Sequence, residues 1–171
     1  MSYQEHKEKA PKNLKIGVLV VSDSRYAALK KGMDVDVSGK LIEEKAKKAG
    51  HETMRVIAPD DGPDIMKAMR KFIDEDGVDA VVITGGTGMA RRDVTIETVE
   101  PMFEKAMPGF GELLRHLGYA KIGTPALLTR AVAGIVKQKP VFCLPGTPNA
   151  VDIGMDIILP ELGHVVKHAR D

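Results

Sequence analysis

The chain has 171 residues, the length of one domain able to bury roughly 70 % of the surface its unfolded form exposes. Its 25 Lys and Arg against 24 Asp and Glu leave a net charge of +1, which excludes the basic footprint of a nucleic-acid binder, while 29 % charged and 43 % hydrophobic residues exclude an intrinsically disordered chain. A single cysteine, Cys143, excludes an internal disulfide and a cysteine-based zinc site.

No run approaches about 18 consecutive apolar residues, and the polar, Lys-rich start carries no apolar core of signal-peptide length. These features predict a cytoplasmic protein without a membrane partner. Residues 1–13 are expected to form a flexible N-terminal arm ahead of a single domain over 14–171.

Ile16 to Val21 (IGVLVV) is a nearly continuous apolar run, as in a strand buried on both faces. Ser22-Asp23-Ser24 ends it, and Ala27 to Val37 reads as a loop. A helix capped by Asp36 or Ser38 then runs to Gly50, with Leu41, Ile42, Lys45, Ala46 and Ala49 along one side. Thr53 to Ala58 reads as the second strand, Pro59-Asp60-Asp61-Gly62-Pro63 as a turn, and Asp64 to Glu75 as a helix. Asp79 to Thr84 is the third buried strand.

Beyond it lie Thr84-Gly85-Gly86-Thr87-Gly88, a polar loop with Arg91-Arg92-Asp93, and a helix opening near Thr95. Pro108 to Gly111 breaks the chain before a short helix, Glu112 to Leu117. Leu128 to Val136 and Pro140 to Leu144 are β-suited runs joined by Lys137-Gln138-Lys139, which predicts a hairpin and hence one antiparallel strand in an otherwise parallel sheet. Pro145 to Asn149 leads into a long amphipathic helix to about Ala169, with Pro160 a candidate kink. The alternation predicts an α/β protein, a three-layer α/β/α sandwich with a mostly parallel sheet.

Ligands of such sheets sit at the carboxyl ends of the strands, beside a topological switch point. Asp23, Asp60, and the glycine loop with Asp93 fall at those ends. The loop offers backbone N–H groups unobstructed by β-carbons, able to wrap phosphate; a plain strand-to-helix turn accounts for the five residues equally well. The spacings of a Walker loop and of a dinucleotide-binding fingerprint are both missing. Carboxylates beside phosphates suit Mg²⁺, although Asp93 as a helix cap and Asp60 as a turn residue are simpler readings. Pro145-Gly146-Thr147-Pro148-Asn149 precedes a helix whose N-terminus could receive an anion, or Thr147 could merely cap it. Cys143 reads as core, and the His164, His168 pair lacks a third metal ligand.

Taken in order, Val21-Ser22-Asp23-Ser24-Arg25, Asp36-Val37-Ser38-Gly39, Thr84-Gly85-Gly86-Thr87-Gly88, Arg91-Arg92-Asp93, Met107-Pro108-Gly109-Phe110-Gly111-Glu112, Thr129-Arg130-Ala131-Val132-Ala133-Gly134 and Leu144-Pro145-Gly146-Thr147-Pro148-Asn149 resemble the MoaB/MogA molybdenum-cofactor biosynthesis family, and MoaB most. The resemblance implies a mixed five-stranded sheet with the last strand antiparallel, and a homo-oligomer, trimer or hexamer. It implies Mg²⁺- and ATP-dependent adenylylation of molybdopterin with release of pyrophosphate, the product passing to a MoeA-type insertase that adds molybdenum or tungsten. By the same resemblance Asp60 and Asp93 are catalytic and candidate Mg²⁺ ligands. Thr84, Gly85, Gly86, Thr87, Gly88 and Asp23 would serve the nucleotide phosphates, and Thr129, Arg130, Pro145, Gly146, Thr147 and Asn149 the pterin. The alternative is a non-catalytic molybdopterin carrier of the same fold.

Overall fold

The computed structural model describes residues 10–171. In chain order they form β1 (Lys15–Val21), α1 (Asp23–Lys30), α2 (Ser38–Lys48), β2 (Glu52–Ala58), α3 (Gly62–Arg70) and β3 (Ala80–Thr84). There follow α4 (Thr95–Val99), β4 (Lys105–Ala106), α5 (Pro108–Ile122), β5 (Val132–Val136), β6 (Lys139–Leu144) and α6 (Pro148–Arg170). The strands make one sheet in the order β2-β1-β3-β6-β5-β4. Strands β2, β1, β3 and β6 run parallel, and β5 runs against both its neighbours.

Side-chain alternation explains the apolar runs. Ile16, Val18 and Val20 of β1, Ala80 and Val82 of β3, and Phe142 and Leu144 of β6 face one core, shared with Ile42, Leu114 and Leu162 of α2, α5 and α6. Leu19 and Val21, Val81 and Ile83, and Val141 and Cys143 face the other, against Ile65, Met69 and Phe72. A strand covered on both faces cannot afford polar alternation.

The expected three-layer arrangement and the hairpin are present, with differences of detail. The sheet has six strands rather than five: β4 is a two-residue edge pairing Lys105 with Ile135 and Ala106 with Gly134, too short to leave a periodic signature. The antiparallel member is the first strand of the hairpin, β5, because its second strand, β6, takes the place beside β3. The hairpin turns on Lys137 and Gln138, both at positive φ (48° and 61°), the combination a tight two-residue turn requires.

The span read as a loop from Ala27 begins inside α1, which buries no side chain and so shows no apolar stripe. Ser22 caps it by accepting from the Arg25 amide at 3.3 Å. Helix α5 starts at Pro108 and runs to Ile122, since Pro at the first helical position initiates rather than breaks a helix. Leu128 ends a 3₁₀ turn, Thr124–Leu128, so β5 begins only at Val132. Helix α6 continues through Pro160. Of the expected N-terminal arm, residues 1–9 lie outside the described residues, and Pro11 rests against Gly163 of α6.

Candidate active site

From β1 the chain crosses to β2 on one side, then returns to β3 on the other, so the switch point lies between the carboxyl ends of β1 and β3. There the Gly85 amide extends the ladder by one step, donating to the Leu144 carbonyl at 3.1 Å. Gly85 and Gly86 then take φ of +98° and +63°. A β-carbon on Gly85 would lie 2.2 Å from the Val21 carbonyl oxygen, and one on Gly86 2.3 Å from Thr95 Oγ1 and 2.9 Å from Asp60 Oδ1. Glycine is required at both positions by conformation and by space.

The loop's carbonyls are held by two residues, Thr95 and Arg130. Thr95 Oγ1 donates to Gly85 O at 2.8 Å, the Thr95 amide to Gly86 O at 2.9 Å, and Arg130 Nη1 to Gly88 O at 2.9 Å. A trans peptide points its N–H opposite its C=O, so the amides of Gly86 and Thr87 face away from Thr95. Among the described residues these amides find no acceptor. Outward-facing amides of this kind have the chemistry to receive an anion.

The loop after β6 is held differently. Thr84 Oγ1 donates to Pro145 O at 3.0 Å and Ser38 Oγ to Gly146 O at 2.8 Å. Thr147 caps α6, its Oγ1 accepting from the Ala150 amide at 3.4 Å.

Two cavities open at this edge and share Val21, Ser22, Ser24, Gly86 and Asp93. The larger, about 660 Å³, has Gly85 to Gly88 and Pro145 to Thr147 as its floor and Leu114, Ile122, Leu128 and Ile153 as its apolar wall, with Arg25, Lys121 and Arg130 as its cations. The smaller, about 310 Å³, is lined by Asp23, Asp60, Arg92 and Asp93 beside the shared residues. The Asp60 amide donates to Asp23 Oδ1 at 2.9 Å, while Asp60 Oδ1 accepts from the Val94 amide at 3.4 Å. Burial holds the Asp60 carboxyl above its ordinary pKa, and the charges of Asp93 and Asp23 push the same way against the Val94 hydrogen bond and Arg92. Asp93 Oδ2 accepts from the Ala90 amide at 2.9 Å, so Asp93 braces its own loop rather than capping α4.

Nearly all the residues singled out from sequence converge here. Asp93 borders both cavities and Asp23 and Asp60 the smaller; Gly85, Gly86, Thr87, Gly88, Thr129, Arg130, Pro145, Gly146, Thr147 and Asn149 border the larger. Thr84 departs from its expected place on the phosphates, because its side chain belongs to a fully buried strand end and its hydroxyl is spent on Pro145. Arg25, which only the run Val21 to Arg25 hinted at, and Lys121 were not legible as site residues; Lys121 lies on an exposed helix end with no motif around it. Cys143 is wholly buried, and burial pushes its thiol far up from the ordinary range, as a core residue requires.

Among the described residues no three His, Cys, Asp or Glu side chains form a metal cage. Mg²⁺ does not need one, since it is ordinarily held by one or two carboxylates together with substrate phosphates. Asp60 and Asp93 on one small polar cavity, with a carboxyl already disfavoured as the anion, fit that donor set.

Comparison with known proteins agrees with this geometry. The profile of the family described as "Probable molybdopterin binding domain" matches residues 17–164. Molybdopterin adenylyltransferase of Pyrococcus furiosus is 44 % identical over 175 residues, covering 100 % of both chains. Molybdenum cofactor biosynthesis protein B of Bacillus subtilis is 40 % identical over 173 residues, covering 99 % of this chain and 98 % of its own. The crystal structure of the tungsten cofactor synthesizing protein MoaB from Pyrococcus furiosus superposes with a TM-score of 0.84, over 95 % of this chain and 100 % of that one. With the profile spanning most of the domain and relatives this similar along their whole lengths, the chain belongs to the molybdopterin-binding family of molybdenum-cofactor biosynthesis.

Proposed function

We propose that the chain transfers the adenylyl group of ATP to molybdopterin, in the biosynthesis of a molybdenum or tungsten cofactor. The observation that carries this reading is the meeting of two cavities at Gly86 and Asp93. The larger, with apolar walls and a cationic rim, suits a fused ring bearing an anionic tail; the amide nest and the carboxylates at the junction suit phosphates. A terminal phosphate oxygen of molybdopterin bonds to the α-phosphorus of ATP, the bond from that phosphorus to the α,β-bridging oxygen breaks, and pyrophosphate leaves.

Both reactants are anionic, so catalysis here is positioning and charge compensation. The β3 loop amides hold phosphate oxygens in place, and Thr129 and Arg130 with residues 145–149 orient the pterin. Asp60 and Asp93 would hold Mg²⁺ on the phosphates, where a bound cation offsets charge on the reacting oxygens. Exposed Leu113, Leu117, Tyr119 and Leu127 on α5 and the turn after it suit cover by further copies of the chain; for the proposed trimer or hexamer, sedimentation equilibrium should give a multiple of three. No helix among the described residues is long and apolar enough to cross a membrane. The adenylylated product would pass, in the cytoplasm, to a MoeA-type insertase.

The direct test is incubation with molybdopterin, ATP and Mg²⁺, with mass spectrometry of the pterin and measurement of pyrophosphate. Adenylyl-molybdopterin and pyrophosphate in equal amounts are expected. Pterin binding without pyrophosphate release would replace the enzyme with the carrier.

A further inference from the structure

Ser38 stands outside both cavities, fully buried at the first turn of α2, yet its hydroxyl reaches 108 residues along the chain to the Gly146 carbonyl at 2.8 Å. Its neighbour Asp36 is also fully buried. That carboxylate accepts from the Gly39 amide at 3.0 Å and from Arg55 Nη1 of β2 at 2.8 Å, and lies 3.9 Å from Arg25 Nε of α1. Gly39 admits no side chain, since a β-carbon would sit 2.2 Å from Asp36 Oδ2 and 2.6 Å from Val20 Cγ2. The start of α2 is thereby fixed to the sheet, and Ser38 is a donor on a rigid base.

On the receiving side, consecutive carbonyls of the β6 loop are both occupied by hydroxyls: Pro145 O by Thr84 and Gly146 O by Ser38. Because N–H and C=O oppose each other across a trans peptide, these two bonds aim the amides of Gly146 and Thr147 away from the protein interior. Both residues line the larger cavity, and among the described residues neither amide has an acceptor. Gly146 also abuts Gly85, where a β-carbon on Gly146 would come within 3.1 Å of the Gly85 Cα. Losing either hydroxyl would let the loop rotate its peptides and disturb the glycine loop beside it.

We propose that Ser38, set by the buried Asp36, is a positioning residue that presents the Gly146 and Thr147 amides to an anionic group of the molybdopterin, so that the pterin meets a preformed pair of donors. This rests on the reading that the larger cavity holds molybdopterin. A preformed pair serves the bound substrate and the transition state alike, so its loss weakens binding and leaves turnover nearly untouched.

The test compares wild type with Ser38→Ala and Ser38→Cys, the latter keeping the volume with a weaker donor. Equilibrium binding of molybdopterin without ATP, KM and kcat for adenylylation, and the melting temperature are measured on each. Ser38→Ala is expected to raise the Kd and KM for molybdopterin by about tenfold, the order expected when one hydrogen bond to a buried carbonyl is lost, with kcat within about twofold. Ser38→Cys should fall between. Unchanged molybdopterin affinity in a folded Ser38→Ala, or a fall in kcat at constant KM, would overturn the proposal. Should Ser38→Ala fail to fold, a Ser38→Cys that binds as wild type overturns it equally. If the wild type binds molybdopterin but releases no pyrophosphate, the enzymatic reading fails while the binding comparison still decides the role of Ser38; if it binds no molybdopterin, both fail.

Discussion

The two loops that floor the site solve the same problem by different means. After β3 the chain relies on backbone freedom: Gly85 and Gly86 adopt positive φ, and no side chain fits at either. After β6 no residue adopts positive φ; the loop is fixed by Pro145 and Pro148, by the Thr147 cap, and by two hydroxyls on its carbonyls. The first loop is therefore vulnerable to added atoms and the second to removed ones. The carboxylates gather on the first loop's side, so under the proposed function chemistry and binding are unequally shared between the two loops.

The largest effect is expected where that asymmetry concerns charge. Asp93→Asn and Asp60→Asn keep shape and remove the anion, and each should lower adenylyl transfer by about 10²-fold or more, the loss typical of an electrostatic element of the transition state. Molybdopterin binding should survive in both. Measured pyrophosphate release at the wild-type rate in both variants would assign the chemistry elsewhere.

A β-carbon on either loop sharpens the contrast further. Gly86→Ala meets Thr95 Oγ1 at 2.3 Å and a left-handed backbone, so it should lose about 1–3 kcal/mol of stability from the backbone alone and bind ATP more weakly in calorimetry. Gly146→Ala meets the Gly85 backbone, Cα at 3.1 Å and N at 3.6 Å, without positive φ, and should show the smaller loss of stability in denaturant titration. Equal losses would mean that the two loops are not built differently.

On the second loop, Thr147→Ala removes the cap of α6 and should cost about 1 kcal/mol in the same titration. The smallest effect is a pH dependence. Asp60 has a folded pKa above its ordinary value near ~4, so its contribution to stability is intact below the unfolded pKa and lost as pH rises through the folded one. Asp60→Asn should accordingly melt slightly higher than wild type at neutral pH, with the difference vanishing on acidification. A higher-melting but inactive variant would mark Asp60 as a strained functional group.

The alternation of strand and helix is legible from the residues alone, because strands buried on both faces must be continuously apolar and helices covering them must carry a stripe: Ile16 to Val21 and Asp79 to Thr84 announce their places without help. The sequence also exposed the glycine loop, Asp60 and Asp93, whose residue types are tied to strand ends. It did not disclose α1, which buries nothing, or β4, which is two residues long, since neither leaves a periodic trace. It took the packing of distant elements to turn Thr84 onto Pro145, to bring Ser38 to Gly146 and to set Lys121 in the cavity wall. These depend on where a hydroxyl or an ammonium points across elements many residues apart, a relation that local propensity and periodicity do not encode.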